Sequence, residues 1–190
     1  MDKKQHTIFV KNLILINIFC FIVYVSIYLI QDSIWNIQIS IYQNLYLGSL
    51  LFFPHGVRVL AYFLFREKSF LGIFFAHILT GLIFQNEQFN FLQILIRSCL
   101  PILGIYFSFI LINNIFKIQI SNPRIKTIIL FAGISSIFNS FFNALYLNII
   151  LVKFDIYSIF FSYFFGDIFG CIILFYFLSL IKGILKIIKI

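Results

Sequence analysis

The sequence predicts an all-α fold, a polytopic transmembrane helix bundle of about six spans, and three observations carry that prediction. Hydrophobic side chains make up 62% of the chain and charged ones only 11%, against about 25% charged in a soluble domain. Apolar runs of about twenty residues follow one another throughout, each long enough for a hydrocarbon core of about 30 Å. Lysine and arginine gather at the same side of successive runs. The longest polar stretch is Lys117–Lys126, so residues 1–190 are expected to form a single integral membrane domain with no soluble domain.

The first span is expected over about Ile8–Ile30. Its basic start resembles a signal peptide, but no small-x-small cleavage site follows Ile30, so it reads as a retained helix. The second, about Ile41–Phe65, contains Phe53-Pro54-His55-Gly56-Val57-Arg58. Proline removes a backbone donor and glycine loosens the helix. An arginine at a helix centre costs about 2.5–3.5 kcal/mol on insertion scales, so Arg58 needs a partner or a cavity. It lies about two turns from Phe65, so snorkelling to the interface competes with a buried role, but snorkelling leaves Pro54 and Gly56 without a reason. His55 reads equally well as a ligand contact and as a satisfied hydrogen-bonding residue.

The third span, about Ser69–Phe84, is short for a bilayer and places His77, Thr80 and Gly81 on one face. The fourth, about Phe91–Ile112, carries Arg97, with Gln93 one turn earlier as a weak neighbour. The fifth, about Thr127–Ile150, repeats Ser136, Asn139 and Asn143 in helical register. Such a stripe more often ties helices together than binds a ligand. The sixth, about Tyr157–Ile181, holds Gly166-Asp167-Ile168-Phe169-Gly170, with Asp167 near mid-membrane. A carboxylate at that depth requires a cation or several donors, and Arg58 is the best candidate. Gly166 and Gly170 allow close helix approach. A tie between Arg58 and Asp167 that only clips helices is the competing structural reading.

Six spans divide as three plus three, which allows an inverted repeat, although the two halves share negligible sequence similarity. With the N-terminus inside, the cytoplasmic ends carry Lys3, Lys4, Lys11, Arg66, Lys68, Lys117, Arg124, Lys126, Lys182, Lys186 and Lys189. The outer ends carry Lys153 beside Asp32, Glu87 and Asp155. Eleven positives against one put both termini in the cytoplasm. The net charge of +8 is therefore an orientation signal and not a nucleic-acid patch. The basic tail Lys182–Ile190 is expected to lie near anionic lipid. Cys20, Cys99 and Cys171 sit in apolar runs without CxxC spacing, which argues against a metal site. No hydrolase triad, HExxH, GxGxxG or phosphate loop is present, so neither a cofactor nor enzymatic activity is expected.

Two segments together resemble one family. Leu51-Phe52-Phe53-Pro54-His55-Gly56-Val57-Arg58-Val59-Leu60, followed by Gly72 and Ala76, is similar to a segment of the bacterial membrane-associated sensor domain family, first type. Gly166-Asp167-Ile168-Phe169-Gly170 resembles the glycine-aspartate-x-x-glycine of that family's last span. The likeness covers roughly Leu45 to Leu180. It implies a multi-pass domain of the bacterial inner membrane of the kind that precedes histidine kinases and diguanylate cyclases. His55 and Arg58 stand where the family has less polar residues, which points to a ligand of its own.

The leading expectation is a stand-alone sensor-like protein. It would hold a small polar or anionic ligand, or a proton, among Pro54, His55, Gly56, Arg58, His77, Asn139, Asn143 and Asp167, with Gly81, Gly166 and Gly170 structural. Its signal would pass to a separately encoded cytoplasmic partner. The rival is the substrate-binding subunit of an energy-coupling-factor importer, with an ATPase partner, or another small transporter. The first span has no alanine or glycine for such a coupling surface. A purely structural or assembly subunit is the third reading.

Overall fold

The computed structural model describes residues 3–41, 51–85, 88–117, 125–151 and 155–187, and among them all but a few connecting residues are helical and none is in a strand. The helices are α1 (Lys3–Ile41), α2 (Phe53–Phe65), α3 (Phe70–Phe84), α4 (Phe91–Ile110), α5 (Ile125–Leu151) and α6 (Ile156–Ile187). Among the described residues, five stretches are long and apolar enough to cross a membrane: Ile8–Ile37, Phe53–Phe84, Phe91–Ile115, Lys126–Ile150 and Ile156–Ile181. The chain is a helical membrane protein.

The expected third span and the later part of the second, from Phe53, fall within one of these stretches, Phe53–Phe84, while Ile41, the expected start of the second, is the last residue of α1; the chain doubles back inside Phe53–Phe84. A 3-10 turn at Arg66–Ser69 follows α2, and Arg66 adopts φ 55° and ψ −145°. Contacts with α1 give the directions. Gln31 meets Phe53 and Phe19 meets Phe65, so α2 runs antiparallel to α1. Asn17 meets Gly72, Tyr24 meets His77 and Tyr28 meets Gln85, so α3 runs parallel to it. With 13 and 15 residues, α2 and α3 are each shorter than a full span, about 20 and 22 Å at a rise of about 1.5 Å per residue.

Short helices inside a bundle need partners for their first N–H groups, and α1 supplies them to both. The Gln31 side chain accepts from the Phe53 N–H at 3.0 Å, and Asn17 Oδ1 accepts from Gly72 N–H at 2.6 Å. Just ahead of α2, the Phe52 N–H donates to the Gly166 carbonyl at 2.9 Å. Pro54 occupies the first turn of α2, where its missing N–H costs nothing. At the start of α4, Asn90 and Gln93 form a reciprocal capping box.

The helices close into a ring: α1 packs on α3, α3 on α4, α4 on α5, α5 on α6, α6 on α2, and α2 on α1. Within the first half α1 lies between its two partners, whereas in the second half α5 does. This pairing lends no support to a three-plus-three repeat. One end of the ring collects Lys11, Arg66, Glu67, Lys68 and Lys117, and the other Asp32, Gln88, Asn90 and Asp155. Of the remaining orientation charges, Glu87, Arg124, Lys153 and Lys189 lie outside the described residues. The side chains of Lys3, Lys4, Lys182 and Lys186 do so too, as do residues 42–50 of the expected second span and most of the Lys117–Lys126 loop.

At the basic end the interior is sealed by aromatics. Tyr62, fully buried, stacks on Phe70 and Phe131 with centroids 5.7 and 5.4 Å away, and Val59, Ile105 and Ile112 fill around it. A second apolar cluster of Phe89, Ile94, Ala144, Leu147 and Ile159 lies toward the opposite end, at one side. Between the two sits the polar interior.

Candidate functional site

Arg58 lies one turn of α2 before Tyr62 and is 1% exposed; Asp167 on α6 is 0% exposed. The structure brings the two charges together, but loosely. Arg58 Nη2 and Asp167 Oδ1 are 3.9 Å apart, beyond hydrogen-bond length. Asn139 of α5 is the connector: its Nδ2 donates to Asp167 Oδ2 at 2.6 Å, and its Oδ1 accepts from Arg58 Nη1 at 3.4 Å. Asn143, one turn on, donates to both the backbone carbonyl and the Oδ1 of Asn139, at 2.8 and 3.1 Å. The α5 stripe is therefore an amide scaffold that orients the charges from behind. It leaves Arg58 Nε and Nη2 and Asp167 Oδ1 buried without a hydrogen-bond partner among the described residues. The guanidinium carbon lies 5.6 Å from the Phe52 ring centroid, where a cation is attracted to the aromatic face.

His55 lies on the far side of this group. Its Nε2 meets the hydroxyls of Ser135 and Ser136 at 3.0 and 3.2 Å. Both hydroxyls donate to the Ala132 carbonyl, which makes the imidazole N–H the donor toward them. Nδ1 then faces Asp167 Oδ2 at 3.6 Å. His55 Nδ1 has no hydrogen-bond partner among the described residues; His55 does not line the cavity, and neither do Pro54 and Gly56. Gly56 is a packing residue: a Cβ there would come 2.8 Å from Leu174. Gly166 gives its carbonyl to Phe52, and a Cβ on Gly170 would run into the Phe52 backbone.

A cavity of about 220 Å³ opens at the end bearing Asp32, Trp35 and Gln88 and descends to Arg58, Asn139 and Asp167. His77, Thr80, Gly81 and Asn143 line its walls. His77 is fixed by Tyr24, whose hydroxyl is 2.6 Å from Nε2. Gly81 leaves room for Ile94, which a Cβ would meet at 2.6 Å. Arg97 also lines the cavity. Its partners are not Gln93, which is spent in the capping box, but Gln85 Oε1 at 2.9 Å, Tyr163 hydroxyl at 3.3 Å, and the Phe89 ring 4.2 Å below.

Sequence reasoning missed Asn17, Tyr24, Gln31, Gln85, Tyr163 and Ser135. Asn17 stands alone in an apolar run, which is a usable signal. Tyrosine and glutamine at span ends carry none, because interfaces are rich in them. Among the described residues no three His, Cys, Asp or Glu side chains are grouped as a metal set. Chemically, the site offers an unsatisfied guanidinium edge and a carboxylate oxygen at the bottom of a polar shaft. No family model matches the chain, and no curated protein or solved structure does so.

Proposed function

We propose that the protein is a membrane-embedded binder of a small polar ligand, held through an anionic group at Arg58, and that occupancy is signalled to a separate cytoplasmic partner. The observation that carries the reading is the buried Arg58, whose Nε and Nη2 donors have no hydrogen-bond acceptor among the described residues while the residue lines a cavity. Burying a guanidinium is costly unless its donors are used. A structural clip would have closed onto Asp167, whereas a receptor holds its binding edge apart from it. The resemblance of the α2 and α6 motifs to a bacterial sensor domain supports signalling as the output. In this reading α2 and α3 each cross the membrane, giving six passes, with the basic end cytoplasmic and the cavity facing outward.

Uptake is the second reading, favoured by the descent of the cavity from one end of the bundle into its interior. A ligand panel on purified protein tests the shared premise. At a hundred times its Kd, a ligand that binds only the folded state stabilises it by about 2.7 kcal/mol. Small carboxylates, phosphates or sulfonates should raise the unfolding temperature of the parent and leave Arg58→Ala unmoved. An unchanged parent across all anions sinks the proposal. Ligand counterflow in proteoliposomes then separates uptake from sensing.

A further inference from the structure

The proposed anion reading leaves open what the ligand carries besides its acid, and the atoms at the cavity floor answer that. Arg58 Nη1 is engaged by Asn139, which leaves the Nε–Nη2 edge, two parallel N–H donors matched to a carboxylate. Beside it, Asp167 Oδ2 is engaged by Asn139, which leaves Oδ1 as an unpartnered acceptor. The gap between Nη2 and Oδ1 is 3.9 Å. An acceptor and a donor on one ligand, each about 2.8 Å from its protein atom, close a four-membered ring of contacts across that gap when they are themselves about 3 Å apart. That is the spacing of a carboxylate oxygen and an amine on adjacent carbons. Charge points the same way. The cavity is lined by two guanidinium groups, Arg58 and Arg97, and two carboxylates, Asp32 and Asp167. These cancel, so a ligand without net charge leaves nothing uncompensated.

We infer that the ligand is a zwitterionic 2-amino acid, its carboxylate on the Arg58 Nε–Nη2 edge and its ammonium on Asp167 Oδ1. This rests on the anion reading and narrows it. Asn139, Tyr24 and His77 face the two charges from α5, α1 and α3, each with a partner of its own, and His55 Nδ1 faces the Asp167 Oδ2 side, away from the Oδ1 that takes the ammonium.

The test uses the full-length protein in lipid nanodiscs and titrates the standard amino acids, inorganic phosphate and simple carboxylates by calorimetry. For the tightest amino acid, the deamino acid, the 2-hydroxy acid and the carboxamide of the same side chain follow. Loss of the amine leaves Asp167 Oδ1 unsatisfied and should weaken binding by about tenfold to a hundredfold, and the carboxamide should fail. Asp167→Asn should narrow the gap between amino and deamino acids, a change of ratio that overall destabilisation does not produce. The ligand series on the parent protein stands even where that variant does not fold. If the deamino or 2-hydroxy acid binds as tightly as the amino acid, or only phosphate binds, the inference falls while the anion reading survives. If no anionic compound binds, both fall.

Discussion

Arg58 and Asp167 depend on Asn139 for their geometry, because one amide serves both charges at once. Replacing Asn139 with leucine orphans Arg58 Nη1 and Asp167 Oδ2 together. With each of these two unsatisfied buried groups worth about 1–3 kcal/mol, the variant is expected to lose about 2–6 kcal/mol, measured by unfolding in mixed micelles with increasing denaturing detergent. Tyr24→Phe removes only the 2.6 Å bond to His77 and keeps the ring. A cost near 1 kcal/mol is expected there, with ligand affinity falling less than for Asn139→Leu. At this scale the sequence spoke clearly about charges, since an arginine or aspartate in hydrocarbon has few explanations. It was ambiguous about histidines: His55 and His77 are each a lone imidazole in an apolar helix, yet one is held by serine hydroxyls away from the cavity and the other lines it.

Among the elements, α1 acts as a post that holds two short helices by their beginnings. Asn17 and Gln31 provide those holds from a neighbouring helix, in place of local caps. Asn17→Leu should therefore destabilise α3 by about 0.5–2 kcal/mol, the range of an ordinary N-cap, and hydrogen exchange should rise first at Gly72 and its neighbours. The glycines make a sharper contrast. A Cβ on Gly170 meets the Phe52 backbone, which cannot swing aside, while one on Gly133 meets nothing within 4 Å. Gly170→Ala is expected to cost about 1–3 kcal/mol through forced helix separation. Gly133→Ala should be neutral or gain up to about 1 kcal/mol of helix propensity. Equal effects on melting temperature would contradict this packing. The helices themselves were legible from hydrophobic runs, and the glycine pair Gly166 and Gly170 from its spacing. The α1 clamps were not, because they join residues 22 and 55 positions apart.

For the whole molecule, the ring order and the reversal at Arg66 fix which ends share a side. Cysteines introduced at Lys68 and Asn114 should be labelled by an impermeant maleimide only after the cell is permeabilised. Cysteines at Ser33 and Gln88 should be labelled on intact cells. If α2 and α3 formed a single crossing, Ser33 and Gln88 would fall on opposite sides, so joint labelling decides between five and six passes. The positive-inside pattern supplies the orientation that this labelling tests, whereas the ring did not follow from the sequence, since helix order in space depends on side-chain fit between the helices.

The aromatic stack of Tyr62 with Phe70 and Phe131 lies directly past Arg58. A molecule reaching the guanidinium therefore arrives at a cul-de-sac and must retrace its route to leave. In the proposed binding role, occupancy then tracks concentration in a single compartment, whichever way the protein sits, and any through-passage has to prise three rings apart first.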